Sequence, residues 1–361
     1  MDTKSFLQLL VETESPSHDK DAVNKVASIV INEAKKLGAH VEVIENVETG
    51  NHVISKWGSG KNPILFLCHM DTVFPLGTID KTPYRELDGK IFGPGTLDMK
   101  AGIVIALGAI EDAIKNGMTR SVTLLCTSDE EIGSLTSRDL IETLAKESDL
   151  ALVMESALLD GSLKTWRKGV GEFWVKTKGI ASHAGGDHEK GRNAIEEMAH
   201  QIIKIQKLTD YSKQTTLNVG VINGGTVSNV VPEECTIQVD VRVMQPGEWE
   251  RLESEMQKLK PILDGTSLQI TGGLNRPPMP FDSVMQTTFE KAKAIAKEIG
   301  MDLKAGGTGG GSDANFIAPL EIPVLDGMGA VGEGYHSERE FIFESSLDER
   351  IKLISELLRK W

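Results

Sequence analysis

Histidine and acidic side chains stand directly after three apolar segments of the sequence. Each segment has the continuous or nearly continuous apolar character of a strand buried in a parallel sheet. The segments are followed in turn by His69 and Asp71, by Glu130 and Glu131, and by Glu155. Because open α/β sheets bind ligands outside the carboxyl ends of their strands, we expect these side chains at one edge of a sheet. There they could bind a metal ion or transfer protons.

A metal ion explains this set of acids better than separate structural roles do. Each acid alone could cap a helix or lie in a solvated loop. Together with Asp98, which opens a following helix, uncompensated carboxylates at one sheet edge would repel one another. Carboxylate and imidazole ligands without cysteine suit zinc, manganese or cobalt, and an acid-rich set can hold two ions. His336, in a late loop, is a further candidate ligand.

The composition limits the class of protein and its partners. A chain of 361 residues exceeds the usual size of one hydrophobic core, which favours two domains. The net charge of −14 argues against nucleic acid or an anionic membrane as partner, since both require basic patches. Small anionic substrates need only local arginines and stay compatible with this charge. The three widely spaced cysteines and the polar N-terminal segment predict a cytoplasmic protein without a signal peptide.

The hydrophobic pattern divides the chain into two domains. Residues 1–165 and 277–361 carry the buried strands and helical repeats of an α/β domain. Residues 166–276 alternate in the manner of half-exposed antiparallel strands, and they predict four strands and two helices. We therefore expect a small two-layer α+β domain inserted into the larger domain, with Pro277 and Pro278 at the return crossing.

A glycine-rich loop at residues 306–313 leads into a short helix late in the chain. It lacks the Gly-Lys-Ser/Thr ending of a phosphate-binding loop, so we do not expect nucleotide binding. The backbone N–H groups of this loop, which includes Gly311, could instead hold a carboxylate at the helix N-terminus.

The chemical residues belong to motifs that extend over essentially the whole chain. In order these are His69-Met70-Asp71, Gly93-Pro94-Gly95 with Asp98, Asp129-Glu130-Glu131-Ile132-Gly133, Glu155, Ser182-His183-Ala184-Gly185 and Gly334-Tyr335-His336. The series resembles the dinuclear zinc peptidases and deacylases, which include glutamate carboxypeptidase, acetylornithine deacetylase and succinyl-diaminopimelate desuccinylase. The motifs Asn229-Val230-Val231-Pro232 and Asp240-Val241-Arg242, with residues 308–314, make the glutamate carboxypeptidase branch the most similar.

The resemblance implies a fold and a set of metal ligands. The fold would be a catalytic domain with a mixed, mostly parallel sheet flanked by helices, plus an inserted domain that serves as lid and dimer interface. Asp98 would bridge two divalent ions, zinc first, with cobalt or manganese as substitutes. His69 and Glu155 would complete the ligands of one ion, and Glu131 and His336 those of the other.

The resemblance further implies catalytic roles for two acids. Glu130 would act as general base toward a water that the two metal ions activate, and would then return the proton to the leaving amine. Asp71 would orient His69.

The resemblance also implies substrate contacts from the inserted domain. His183 would stabilise the oxyanion and would serve the partner's site in a homodimer. Asn229 and Arg242 would contact the substrate. Arg276 would bind a carboxylate bidentately, and Gly311 of the glycine loop would also contact the substrate.

Three of these substrate contacts have structural alternatives. His183 could be a solvated turn residue. Arg242 could form a surface ion pair with Asp240 on its own strand, and Arg276 could be an ordinary surface residue.

The main functional hypothesis is a metal-dependent hydrolase that cleaves an amide or peptide bond next to a free carboxylate and releases a C-terminal amino acid. An N-acyl amino acid or acetylornithine-type deacylase would apply the same metal chemistry to a different amide. A catalytically silent dimeric binding protein is the alternative from another class. The intact set of candidate ligands from His69 to His336 argues against it, because a silent relative usually loses one.

Overall fold

The structure is a computed structural model and describes residues 2–60 and 63–361. The helices of these residues are α1 (Thr3–Glu12), α2 (Lys20–Lys36), α3 (Thr78–Lys81), α4 (Ala101–Lys115), α5 (Arg138–Lys146), α6 (Ala194–Gln206), α7 (Glu248–Gln257), α8 (Ser283–Glu298), α9 (Ala314–Ile317) and α10 (Ser345–Lys360). None of these helices combines the length and the apolar character that a membrane span needs.

The strands of the same described residues are numbered in chain order. They are β1 (His40–Ile44), β2 (His52–Trp57), β3 (Ile64–His69), β4 (Arg85–Leu87), β5 (Lys90–Phe92), β6 (Val122–Thr127), β7 (Leu150–Val153), β8 (Leu163–Arg167), β9 (Gly169–Lys178), β10 (Ser182–His183), β11 (Thr216–Gly224), β12 (Val230–Val231), β13 (Glu234–Val243), β14 (Ser267–Arg276), β15 (Ala305–Thr308), β16 (Val324–Asp326), β17 (Gly332–Glu333) and β18 (Phe341–Phe343).

The chain divides into two compact units. The first comprises Met1–Trp166, Met279–Thr308 and Ser312–Trp361. The second comprises Arg167–Pro278 together with Gly309–Gly311. The glycine loop of the late chain therefore contributes three residues to the second unit.

The main sheet of the first unit is mixed, with a parallel centre. Its strands follow the order β1-β2-β6-β3-β7-β16-β8-β15. The parallel centre consists of the neighbouring strands β6, β3, β7 and β16. The pairs β1–β2, β2–β6 and β16–β8 are antiparallel. This sheet and the helices around it confirm the predicted α/β fold class.

Strand β3 is buried along its whole length because both faces of the sheet are covered. Ile64, Phe66 and Cys68 face a hydrophobic core shared with α1, α2, α4, α8 and α10. Leu65 and Leu67 face a second core shared with α5 and α9. The alternation explains why this segment is apolar without interruption.

The strand order brings the predicted chemical residues to one edge of the sheet. His69 at the end of β3 is level with Thr127 at the end of the parallel neighbour β6. Strand β7 runs parallel to β3 on its other side. The segments that carry Asp71, Glu130 and Glu155 therefore leave the sheet at the same edge.

Helix α4 fixes the position of the segment before it by close packing. Its residues Ala101–Ile110 are all buried, and a fully buried Ile or Val contributes about 1.5–3 kcal/mol each. A Cβ on Gly102 would lie 2.2 Å from the main-chain oxygen of Met154. Only glycine lets the start of α4 approach the end of β7 this closely.

A small sheet of the first unit, in the order β17-β18-β5-β4, was not evident from the sequence. The sequence predicts a loop for residues 72–90, and the structure places α3 and β4 there. These elements are short and exposed, so they lack a hydrophobic period. Their neighbour β5 pairs with β18 from the far end of the chain, a partner that local pattern does not reveal.

The second unit contains an antiparallel sheet in the order β11-β13-β9-β14. Helices α6 and α7 share its hydrophobic core. Strands β10 and β12 form a separate antiparallel pair. The arrangement agrees with the predicted inserted α+β domain of four strands and two helices.

Candidate metal centre

Two histidines approach the two carboxylate oxygens of Asp98 from different sequence motifs. His69 Nε2 lies 3.1 Å from Asp98 Oδ1 and 3.4 Å from Glu155 Oε1. His336 Nε2 lies 3.3 Å from Asp98 Oδ2 and 3.4 Å from Glu131 Oε2. The five residues thus form two three-residue groups that share Asp98, which is the grouping that the sequence resemblance implies.

The electrostatics of these groups favour positive charge at the centre. Burial disfavours the charged form of His69, but hydrogen bonds from its ring to the carboxylates of Asp71, Asp98 and Glu155 raise its pKa well above the usual range. Hydrogen bonds to Asp98 and Glu131 raise the pKa of His336 to about 10. Burial alone would raise the pKa of Asp98. Hydrogen bonds from His336 and His69, together with their charges, hold it below its usual value.

The donor set fits divalent metal ions. His69, Asp98 and Glu131 can each offer a ligand atom, and these atoms lie within 4.8 Å of one another. Burial raises the pKa of Glu131 to about 7, and its Oε1 is buried and makes no hydrogen bond among the described residues. A metal ion satisfies both the excess of carboxylates and this unpaired oxygen.

Asp71 contacts more residues of the centre than His69, the one residue that the sequence predicted it would orient. His69 Nδ1 lies 2.9 Å from the main-chain oxygen of Asp71 and 3.5 Å from its carboxylate. The carboxylate accepts the backbone N–H groups of Glu130 (3.3 Å) and Glu131 (3.2 Å). Ser17 Oγ donates to the same carboxylate at 2.8 Å. Asp71 therefore connects the orientation of His69 to the turn that carries both glutamates.

Glu130 lies within reach of the same ions. It can offer a ligand atom within 4.8 Å of those of His69 and Glu155. Glu130 and Glu131 occupy one short 3₁₀ turn, Glu130–Ile132. Position alone does not separate a base from a ligand here, and the assignment of Glu130 as base stays a prediction.

His183 and Asn229 lie together in the second unit. His183 in β10 is paired with Val230 of β12, and the main-chain oxygen of Asn229 accepts the N–H of Ala184 at 2.9 Å. His183 is exposed, and its Nδ1 accepts the N–H groups of Gly185 and Gly186, each at 3.0 Å. In the neutral ring the proton is therefore on Nε2, which can donate a hydrogen bond.

The two predicted arginines have different surroundings in the second unit. Arg242 donates from Nε and Nη2 to both carboxylate oxygens of Asp240, at 2.9 and 2.7 Å. This is the ion pair that the sequence offered as the alternative to a substrate contact. Arg276 is only 6% exposed and lies beside Gly311, where a Cβ would be 3.0 Å from Arg276 Cδ. Gly311 therefore leaves room for the arginine.

Comparison with known proteins identifies the family. Residues 65–360 match the model of peptidase family M20/M25/M40. The chain belongs to this family. Carboxypeptidase G2 from Pseudomonas sp. is 30% identical to this M20 chain over 364 residues, which cover 98% of the chain and 87% of that protein. The M20 chain is thus a metal-dependent peptidase or amidohydrolase.

Solved structures of other proteins have the same fold as this M20 chain. Aminopeptidase PepT from Bacillus cereus is 25% identical, with a TM-score of 0.77 over 99% of this chain and 98% of that one. An M20 family metallo-carboxypeptidase from Sulfolobus solfataricus is 17% identical, with a TM-score of 0.80 over 99% of both chains. A tripeptidase from Staphylococcus aureus is 21% identical, with a TM-score of 0.77 over 99% and 97%.

Several residues that support the M20 site were missed by sequence reasoning. Ser17 contacts Asp71, Lys100 Nζ donates to the main-chain oxygen of Thr13 at 2.8 Å, and Glu340 binds the loop that leads to Asp98. Burial lowers the pKa of Lys100 to about 7, against the opposing effect of nearby acids. Each contact joins distant parts of the chain, so local motifs carry no signal for it.

Proposed function

We propose that this M20 peptidase is a dinuclear metal hydrolase of the glutamate carboxypeptidase type, with zinc as its metal. It would cleave an amide or peptide bond next to a free carboxylate and release a C-terminal amino acid. The observation that carries the proposal is the buried Arg276 beside Gly311 in the second unit. A guanidinium shielded from water binds a carboxylate more strongly than an exposed one does. The 30% identity to carboxypeptidase G2 supports the M20 family, within which the glutamate carboxypeptidase type is our proposal.

The mechanism assigns a task to eight of the predicted site residues. Bound at His69, Glu155, Asp98, Glu131 and His336, two divalent ions would polarise the scissile carbonyl and lower the pKa of the attacking water. Glu130 would take the proton of that water and return it to the leaving amine. Arg276 would bind the substrate carboxylate. His183 would donate from Nε2 to the developing oxyanion.

The geometry of the second unit supports a contribution of His183 to the partner's site. Arg276 is level with Val170 near one end of β9, and Glu234 is level with Lys178 at the other end. The two ends are about 26 Å apart at roughly 3.3 Å per residue. His183 comes five residues after Lys178, in the β10–β12 pair that follows this end of the sheet. One small substrate cannot contact both groups of the same chain, so we assign His183 to the substrate of a second copy.

An exposed edge of the second unit could join two copies. Strand β11 pairs with β13 and, among the described residues, with no strand on its other side. Its residues Val221 and Ile222 are 43% and 54% exposed. On α6, which packs against β11, Ile195 and Ile203 are 39% and 56% exposed. An unpaired strand edge beside apolar side chains is a suitable homodimer interface.

The predicted recognition of a substrate carboxylate by Arg276 is tested by changing both the substrate and the arginine. Wild-type protein should prefer an N-acyl dipeptide with a free C-terminus over its C-terminal amide by at least about 30-fold in kcat/KM, or ~2 kcal/mol. Arg276→Gln should remove this preference and leave hydrolysis of the amide unchanged. Steady-state kinetics of the four combinations provide the measurement. An equal kcat/KM for acid and amide in the wild type would rule out carboxypeptidase recognition.

A substrate panel separates the remaining activities of the family. We expect the protein to hydrolyse N-blocked peptides and to release their C-terminal residue. Turnover of N-acetyl amino acids alone would indicate a deacylase. Turnover restricted to peptides with a free N-terminus would indicate an aminopeptidase, as in the Bacillus cereus structure named above.

The dimer prediction is tested by complementation between two inactive variants. His183→Ala and Glu130→Ala homodimers should each be nearly inactive. In a mixed dimer, the site with intact Glu130 receives His183 from the other chain. Co-expression with two different tags and isolation of the doubly tagged dimer should recover about half the activity of the wild-type dimer. A fully metallated but inactive mixed dimer would show that His183 acts within its own chain.

A further inference from the structure

The buried carboxylate of Glu340 binds the backbone of the loop that carries Asp98. Its Oε1 accepts the N–H groups of Leu97 at 2.6 Å and Asp98 at 3.0 Å, and its Oε2 accepts the N–H of Gly95 at 3.1 Å. Glu340 is only 2% exposed. One side chain therefore satisfies three donors directly before the shared carboxylate of the candidate metal centre.

The loop that carries Glu340 also carries His336. Its backbone closes tightly, since a Cβ on Gly334 would lie 2.7 Å from the main-chain oxygen of Arg339. Directly after Glu340, Phe341 pairs with Phe92 in the small sheet. The Glu340 side chain thus has a fixed anchor, and the same loop places His336 Nε2 3.3 Å from Asp98 Oδ2.

The Asp98 segment is arranged to receive this carboxylate. Gly95 has a φ of 71°, and a Cβ there would lie 2.7 Å from Thr72 Cγ2. The left-handed backbone at Gly95 is readily available only to glycine. All three contacts require Glu340 to accept hydrogen bonds, and both of its oxygens are used. A glutamine would fill the same volume but would present an N–H₂ group to one set of donors.

We propose that Glu340 is a positioning residue of the metal centre. It holds the carboxylate of Asp98 at the position where the His69–Glu155 group and the Glu131–His336 group can share it. The proposal rests on the dinuclear metal site of the proposed function. Glu340 is not a ligand in this account. Its effect passes through the backbone of residues 95–98, in the way that outer residues orient metal ligands in other proteins.

The test measures metal affinity, without any substrate. Glu340→Gln is compared with wild type and with Glu338→Gln, which makes the same chemical change at an exposed position of the same loop. Zinc affinity of the metal-free proteins is measured by competition with a chromophoric chelator. Glu340→Gln should bind both zinc ions about 10–100-fold more weakly, and Glu338→Gln should match wild type. Saturating zinc should restore much of the lost kcat.

A merely structural role gives a different result. In that case Glu340→Gln would lower the melting temperature of the metal-free protein while its zinc affinity equalled that of wild type, which would refute the proposal. Wild-type protein that binds no zinc would instead refute the proposed function. If Glu340→Gln fails to fold by circular dichroism, Glu340→Asp is measured in the same way. It keeps a carboxyl group on a shorter side chain that cannot hold all three N–H groups, so it should also bind zinc more weakly than wild type, and an affinity equal to that of wild type would refute the proposal. Rapid hydrogen exchange at Gly95, Leu97 and Asp98 in folded wild-type protein would also contradict the proposed contacts.

Discussion

Glu130→Gln should lower kcat on the order of 10²–10⁴-fold while the protein keeps its full metal content. Glutamine has the shape of glutamate but cannot take the proton of the attacking water. Its backbone N–H stays bound to Asp71, so the turn that carries Glu131 should keep its position. The loss should therefore appear in kcat, with little change in KM.

Glu131→Gln is the matched control for this experiment. It makes the same chemical change at the next residue of the same 3₁₀ turn. Because Glu131 is assigned as a ligand beside His336, its substitution should weaken the binding of one metal ion. Elemental analysis and steady-state kinetics of both variants provide the measurement. If Glu130→Gln loses metal and Glu131→Gln retains it, the two roles are exchanged.

Removal of the metal ions should abolish activity altogether. A chelator strips the Lewis acid and leaves several carboxylates around Asp98 without a compensating cation. The metal-free protein should therefore also melt at a lower temperature than the loaded one, since ions that bind only the folded state stabilise it. Zinc, cobalt or manganese should restore activity after the chelator is dialysed away, and magnesium serves as the control because it binds imidazole poorly. Activity that survives complete chelation would exclude the metal mechanism.

The sequence predicted the main sheet and the position of the candidate site for a simple physical reason. A strand buried on both faces is largely apolar, so β3, β6 and β7 are visible as continuous or nearly continuous apolar segments. Parallel strands end at the same edge, which places His69, Glu130 and Glu155 near one another without knowledge of the packing. Hydrophobic periodicity does not place Asp98 or His336 at this edge. Their assignment to the site depends on the order of motifs along the chain.

The remaining features depend on contacts between distant segments. The hydrogen bond from Asp98 to Glu340 spans 242 residues, and no local pattern marks Glu340 as its acceptor. The small sheet depends on the pairing of β5 with β18, which is equally distant. Arg242 could not be assigned from the sequence for a different reason. A substrate contact and an ion pair with Asp240 give the same sequence pattern. Only side-chain geometry shows that the ion pair forms.

A zinc titration of the metal-free protein tests the central claim most directly. Bound zinc is counted by elemental analysis at each step, and hydrolysis of an N-acyl dipeptide with a free C-terminus is assayed in the same samples. Two ligand groups that share Asp98 predict that activity reaches its maximum at two zinc ions per chain. Full activity of protein that contains no bound metal would contradict the account.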